Sequence, residues 1–349
     1  MIRQEVFGRL ADGRAVKSYT LANAHGETVQ LLDMGATIHR ICVRGSSGAA
    51  ADVVLGAPDA RALEQFSFAG SVIGRVANRI AFGRYEAEGK TVQLEIDPRD
   101  GHFLHGGSGN YAHRLFAAEL READNAVIFR LRDEGNCGYG CPAEAEVCYR
   151  FDDAGRLTLD YTLTAGGTTL LCPTNHAFFR LSGTDVRRDI LRVAASRYAV
   201  KSPLRVPEGE IASVKDTPLD FQRPRIIGEA LKAGGGRFFA DAARPVLDDI
   251  LLLEKLPGEP AAELYSPVSG RRLRVYTDMP ALIVFTPFAE GRPGKDGERY
   301  SGYCAVCLET QFVPNAVNCH GFAIPLYHTG ETLHTTTVFQ FDAVPPQTG

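Results

Sequence analysis

The stretch AEAEVCYRFDDAGRLTLDYTLTA, residues 143–165, alternates apolar and polar side chains on both sides of a short polar turn. Such alternation places every second side chain on one face of a β-strand, so that one face is buried while the other meets water. The intervening DDAGR, residues 152–156, contains the Asp and Gly residues that favour tight turns. The stretch therefore predicts two neighbouring antiparallel strands.

The same pattern recurs on either side of this stretch, in AVIFRLRDEG (126–135) and RRLRVYTD (271–278). Helical periodicity is scarce, and only PDARALEQF (58–66) and PRIIGEAL (224–231) predict short helices, each with a proline near its first turn. Many strands with few helices are typical of a sandwich or a barrel. The number of strands favours an all-β fold, a large antiparallel β-sandwich.

Nothing in the sequence divides the chain into parts. No repeat of 20–50 residues is visible, and the nearest thing to a flexible segment, KAGGGRFFADAARP (232–245), predicts a loop. Length alone would favour about two domains, but large all-β folds often exceed that expectation. We therefore expect a single domain over residues 1–349.

Composition and charge exclude several classes of function. The net charge is −4 and no long basic run occurs, which argues against a nucleic-acid or anionic-membrane partner. The amino-terminal segment lacks the apolar core of a secretory signal, and no apolar run approaches the ~20 residues of a membrane helix. These features predict a cytoplasmic protein without a membrane partner.

The eight cysteines predict reduced thiols, because a chain of this size needs no disulfide staples. Cys304 and Cys307 have the C-x-x-C spacing, but an odd separation on a strand points two side chains to opposite faces. No second C-x-x-C follows. The spacing therefore favours packing over a zinc site, and no metal is expected.

Two adjacent polar residues, Asn175 and His176, stand out in CPTNHAFFRLSG (172–183). An extended strand would place His176 on one face with Thr174 and Phe178. A histidine beside an aromatic ring on a partly exposed face can serve as a proton donor whose pKa is tuned by its surroundings. A hydrogen-bonded core histidine is the alternative interpretation.

An acid stands inside an apolar strand pattern in YCAVCLETQFVPNAVN (303–318). Alternation places Glu309 on one face with Cys307 and Gln311. A buried carboxylate costs free energy unless it is paired or hydrogen-bonded, which makes Glu309 a candidate general base. An ion pair at the end of the strand, with an arginine, is the alternative.

Three further segments carry candidate binding residues. Arg79 follows Asn78 in a weakly polar segment, and arginine is suited to bidentate contact with paired oxygens. His105 precedes two glycines, which allow close approach of the backbone to a ligand. Asp248 and Asp249 begin the apolar run VLDDILLL, where half-buried acids indicate recognition of hydroxyl groups or simply the start of a turn.

Taken together, these segments resemble the aldose 1-epimerase family, in order and over nearly the whole chain. The resemblance rests on five motifs: GRVANRIAFGRYEAEGKTVQLE (74–95), FLHGG (103–107), PTNHAFFRLSG (173–183), LDFQRPRIIGEAL (219–231) and CLETQFVPNAVN (307–318). It implies a large β-sandwich with an open cleft on one sheet, neither metal nor organic cofactor, and a free aldose as the small-molecule partner of a monomer or homodimer.

The resemblance also implies roles for individual residues. His176 matches the general acid and Glu309 the general base that open and reclose the sugar ring, which interconverts the two anomers. Glu309 would be ionised and His176 protonated at rest. Asn78, Arg79, His105 and Asp248 match positions that hold the sugar. Asp248 is matched rather than Asp249, because the family residue that follows is usually His.

Departures from the family pattern leave the sugar open. Arg180 stands where the family commonly has Asn, Ile283 where it has a sugar-contacting Gln, and Asp249 where it has His. LYHTGE (326–331) replaces the usual L-R-P-G-E. Galactose is the default expectation, with a pentose or an acidic sugar as alternatives.

Two other functions fit the same residues. A sandwich that binds sugar without turnover would keep the cleft. A glycoside hydrolase needs two carboxylates about 5–9 Å apart across the bond to be cleaved, and Asp248 with Glu309 could imitate that pair.

Overall fold

A computed structural model of the protein describes residues 1–64, 68–234, 238, 244–289 and 291–344. Most of the loop predicted at 232–245 lies outside these residues. Within them the regular structure is mainly β-strand, numbered below in chain order, with two short α-helices, α1 (Ala60–Leu63) and α2 (Ile227–Ala233). Both helices lie within or beside the two segments predicted to be helical. No helix in this described part is long and apolar enough to cross a bilayer.

The largest sheet contains nine antiparallel strands. In spatial order they are β11 (Ala117–Arg121), β12 (Ala126–Asp133), β13 (Ala143–Phe151), β14 (Arg156–Ala165), β28 (Thr332–Ala343), β24 (Arg271–Thr277), β23 (Ala262–Tyr265), β18 (Ile190–Val193) and β21 (Arg225–Ile226). The strands predicted from residues 143–165 are β13 and β14, which pair in an antiparallel register.

Two further sheets accompany it, both antiparallel. One has six strands in the order β17 (Phe178–Phe179), β26 (Val306–Gln311), β25 (Ala281–Phe285), β22 (Asp248–Leu252), β19 (Arg197–Lys201) and β20 (Pro207–Ser213). The other has five, in chain order: β1 (Arg3–Arg9), β2 (Ala15–Ala22), β3 (Thr28–Leu32), β4 (Thr37–Arg44) and β5 (Ala50–Asp52).

Four two-stranded pairs complete the described sheet structure. They are β6 (Val72–Ile73) with β16 (Thr174–Asn175), β7 (Arg79–Ile80) with β10 (Phe103–Leu104), β8 (Arg84–Ala87) with β9 (Lys90–Gln93), and β15 (Thr169–Leu170) with β27 (Leu326–Tyr327).

One hydrophobic cluster joins the three large sheets. It includes Leu31 from the five-stranded sheet, Val147 and Leu159 from the nine-stranded sheet, and Leu308 from the six-stranded sheet, all essentially buried. Burying a leucine or valine side chain contributes about 1.5–3 kcal/mol, so a cluster of this size holds the sheets together. The predicted β-sandwich is confirmed.

The segment around His176 differs from the continuous strand expected there. It forms two separate two-residue strands, β16 and β17, which pair with different partners, β6 and β26. Between them, the backbone N–H and C=O of His176 hydrogen-bond to Ser71 and Gly70. The chain therefore changes its pairing partner from β6 to β26 between these two strands, and His176 lies in the connection.

The C-x-x-C segment also differs from its expected geometry. Strand β26 begins at Val306, so Cys304 precedes it and the two thiols do not share a strand. All eight cysteines are free, as predicted.

Candidate active site

A cavity of about 350 Å³ opens over the six-stranded sheet. Strands β17, β26, β25 and β22 contribute Phe178, Glu309, Phe285 and Asp248 to its wall. All six residues singled out from the sequence line this one cavity: Asn78, Arg79, His105, His176, Asp248 and Glu309. Its volume is at the lower end of the range for small-molecule sites.

Strand register determines which acids face the cavity. Asp248 lies opposite Phe285, and Ile250 lies opposite Ile283, which in turn lies opposite Glu309. Because side chains alternate along a strand, Asp248 and Glu309 point to the same face of the sheet, and Asp249 points to the other. The geometry agrees with the choice of Asp248 over Asp249.

His176 and Glu309 face each other across the floor of the cavity. The imidazole Nε2 lies 3.5 Å from Glu309 Oε1, and the side chains of both residues are almost fully buried. On its other side, His176 Nδ1 lies 3.4 Å from Cys307 Sγ. The rings of Phe178 and Phe285 pack against the imidazole at centroid distances of 4.9 and 6.3 Å. These contacts fix the imidazole ring in one orientation.

The protonation of this pair differs from the expectation at rest. Burial lowers the pKa of His176 to about 4, because the charged imidazolium is poorly solvated there. Burial, and then the nearby Asp248, raises the pKa of Glu309 to about 8. Both shifts favour the neutral imidazole and the protonated carboxyl group, so near neutral pH the pair holds one transferable proton.

Asn78, Arg79 and His105 are positioned by a short strand pair. The backbone N–H of His105 donates to the carbonyl of Asn78, and the backbone N–H of Asn78 donates to His105 Nδ1 at 3.1 Å. Because Nδ1 accepts a hydrogen bond, the ring proton resides on Nε2. Burial holds the pKa of His105 well below its usual range, and His176 and Arg79 lower it further. His105 is thus a neutral donor, 5.5 Å from the His176 ring by centroid distance.

The two arginines around Asn78 have different environments. Arg79 lines the cavity and donates from Nε to Asp100 at 2.9 Å. Arg75 is buried elsewhere, where it pairs with Asp133 at 2.9 Å and lies over the ring of Tyr139. Arg75 is therefore a structural residue.

None of the three single-residue departures from the family pattern lines the cavity. Arg180 forms a two-point ion pair with Glu298, at 2.7 and 2.6 Å. Asp249 lies on the opposite face of β22, and Ile283 is buried between its strand neighbours Ile250 and Glu309. The hydroxyl recognition considered for Asp249 is therefore not supported by the geometry.

Sequence reasoning missed much of the cavity wall. Phe288, Tyr300 and Arg292 follow β25, and Arg205 lies in the loop after β19. They belong to irregular segments, whose placement no local periodicity predicts. The aromatic rings form the apolar part of the wall.

His176, Cys307 and Glu309 also form a group whose ligand atoms all lie within 4.8 Å of one another, a spacing that a metal ion could bridge. The same atoms contact one another directly, as the short His176 distances show. The absence of a metal stays a prediction.

Comparison with known proteins agrees with this geometry. The family model for aldose 1-epimerase matches residues 17–340. The chain is 34% identical over 349 residues to galactose mutarotase of Rattus norvegicus, covering 97% of this chain and 98% of that protein. It is 32% identical over 344 residues to aldose 1-epimerase of Escherichia coli K12, covering 95% of this chain and 97% of that one.

A solved structure gives the same result. The fold superposes with a TM-score of 0.86 on an aldose epimerase homologue from C. elegans, at 27% identity and covering 94% of this chain and 99% of that one. A family match over most of the chain, together with relatives above 30% identity along nearly their full length, establishes the relationship. The chain belongs to the aldose 1-epimerase family.

Proposed function

We propose that the protein is an isomerase that interconverts the α and β anomers of a free aldose by opening and reclosing the sugar ring. The observation that carries this proposal is the facing pair of His176 and Glu309, 3.5 Å apart on the wall of a cavity large enough for one sugar. The pair shares one proton, and ring opening needs one proton donor and one proton acceptor.

The reaction begins with transfer of the shared proton. When a sugar places its C1 hydroxyl at Glu309, the hydroxyl donates a hydrogen bond that stabilises the ionised form of Glu309. The proton of Glu309 then moves to His176. The carboxylate then takes the proton of the C1 hydroxyl while the imidazolium protonates the ring oxygen, so the C1–O5 bond breaks and an aldehyde forms. Rotation about C1–C2 and the reverse transfers give the other anomer. Each positioned proton transfer contributes about 10²–10⁴-fold.

The remaining wall residues orient the sugar. Arg79 and the Nε2–H of His105 donate to sugar oxygens, and their donors are fixed before the sugar arrives. Asp248 accepts from hydroxyl groups. Phe178 and Phe285 offer apolar surface for the C–H face of the ring.

Several further features belong to the proposal. We infer a single domain over residues 1–349, a cytoplasmic location, and a monomer or homodimer. The eight free cysteines support a reducing compartment. The hydrophobic cluster shared by three sheets supports the single domain.

Anomer exchange measured by polarimetry or NMR on freshly dissolved sugars tests the function. Glu309→Gln and His176→Ala should each lower kcat by about 10²–10⁴-fold, since each removes one proton-transfer group. Glu86→Gln, at an exposed position, is the matched control. Wild-type rates in both site variants would contradict the proposal. Sugar binding without rate enhancement would identify a binding protein, and cleavage of aryl glycosides a hydrolase.

A further inference from the structure

Two arginines of the cavity wall lack an ion-pair partner among the described residues. Arg205 and Arg292 both line the cavity, and both are exposed. No carboxylate of the described part of the chain lies within 4 Å of either guanidinium. The third arginine of the lining, Arg79, is neutralised by Asp100, and the nearby Arg180 by Glu298. Arg205 and Arg292 remain available to a ligand.

Strand topology brings the two arginines to one end of the cavity. Strands β19 and β25 both pair with β22, one on each side. Their carboxyl ends meet the amino end of β22, where Asp248 lies. Arg205 follows β19 and Arg292 follows β25, so both leave the sheet at this edge. Glu309 lies one row further along the sheet, opposite Ile283.

The charges around this end are mainly positive. Arg205 and Arg292 add two positive charges, unpaired within the described part of the chain, to the lining, whose acids are Asp248 and Glu309. The charge of Arg79 is already balanced by Asp100. Lys201 lies 3.4 Å from Asp248 and partly neutralises it. Glu309 shares the single proton of the catalytic pair. A cationic cavity in a chain of net charge −4 concentrates anionic ligands at this place.

The strand neighbours of Glu309 on β25 and β22 offer no side-chain hydrogen bond to a sugar. The nearer neighbour is Ile283, and the next residue across the sheet is Ile250; both are buried and apolar. Where the family pattern places a sugar-contacting Gln, this chain has only a hydrocarbon side chain. Recognition of the substrate must therefore depend on other parts of the wall, and the arginine end is the most polar of them.

We propose that this end of the cavity binds an anionic group on the substrate, a carboxylate or a phosphate carried on the terminal carbon of the aldose. Guanidinium groups bind both anions through paired, charge-assisted hydrogen bonds. The inference rests on the proposed function, since the C1 hydroxyl and ring oxygen of the same sugar must lie within hydrogen-bond reach of Glu309 and His176. The substrate class is then sugar acids or sugar phosphates, in preference to neutral hexoses.

The test compares three matched substrates at constant ionic strength: a neutral hexose, the corresponding hexuronate and the hexose 6-phosphate. Exchange NMR gives kcat/KM for each. One charged-group contact is worth roughly ten- to a hundredfold, so at least one anionic sugar should exceed the neutral one by that factor. Comparing the hexuronate with the hexose 6-phosphate shows whether a carboxylate or a phosphate is preferred.

In the double variant Arg205→Gln/Arg292→Gln, the ratio of kcat/KM for the anionic sugar to kcat/KM for the neutral sugar should fall close to one. Arg223→Gln removes an exposed arginine outside the cavity and should retain the preference. Equal kcat/KM for neutral and anionic sugars in the wild type, or an unchanged preference in the double variant, would overturn the inference while leaving the epimerase function intact. Acceleration of none of the three sugars would overturn both.

Discussion

At the scale of single residues, the proposed chemistry depends on a proton that His176 and Glu309 share. Burial shifts the pKa values of His176 and Glu309 in opposite directions, and both shifts favour the uncharged form of the side chain. Residue types and motif order predicted both groups. Their protonation was not predictable, because it depends on how much water the fold removes from each, and that depends on residues distant in sequence.

The pH dependence of kcat/KM follows from the shared proton. Below about pH 4, His176 gains a proton while Glu309 keeps its own, so no base remains. Above about pH 8, Glu309 loses its proton and no acid remains. We expect a plateau between these values and a tenfold fall per pH unit on either side. An acidic limb centred near pH 6.5, the ordinary value for histidine, would contradict this description.

Glu309 should also lower the stability of the fold as the pH rises. Its pKa is raised from 4.5 to about 8, so its contribution is most favourable below pH 4.5 and is lost as the pH approaches 8. Glu309→Gln cannot ionise and escapes this loss. We expect the stability of the variant relative to the wild type to be greater at pH 8 than at pH 5 by roughly 3–4 kcal/mol. Urea unfolding at the two pH values measures the difference in free energy of unfolding between variant and wild type. A difference that does not change with pH would refute the prediction.

At the scale of elements, alternation predicted the long strands within one or two residues. β13 was expected at 143–151 and β14 at 157–165, and they span Ala143–Phe151 and Arg156–Ala165. The segment around His176 was not predictable in this way. Its two short strands pair with β6 and β26, and such pairing depends on the positions of distant segments.

The segment after β25 forms one wall of the cavity, and its Lys295 binds this segment to the five-stranded sheet and the residues that follow it. This buried ammonium lies 2.6 Å from Asp52 and donates to the carbonyls of His39 and Val54. Lys295→Met would leave those acceptors without a donor, at a cost of about 1–3 kcal/mol. Because Phe288 and Tyr300 lie in the same segment, KM should rise as well.

Urea unfolding and steady-state kinetics measure both effects of Lys295→Met. Lys90→Met, on an exposed strand position, is the matched control and should change neither quantity. A variant that loses stability but keeps the wild-type KM would show that the wall keeps its position without this anchor.

At the scale of the whole molecule, the site is assembled from segments far apart in the chain. Asn78 and Glu309 are separated by more than half of the sequence, yet line one cavity. Local pattern predicts strands but not which strands adjoin, since many pairings satisfy the same alternation. The ordered motifs of the family resemblance supplied that information. They did not predict Arg205 and Arg292, which lie outside those motifs.

The shared core predicts how the molecule unfolds. Leu31, Val147 and Leu308 belong to three different sheets but to one buried cluster. No sheet can therefore unfold alone without exposing apolar side chains of the other two. We therefore expect one cooperative transition over the chain, with calorimetric and van't Hoff enthalpies in agreement. A bound sugar at a hundred times its Kd should stabilise the whole fold by about 2.7 kcal/mol and shift that single transition upward. Two separate transitions, of which only one responds to sugar, would show that the chain contains two domains.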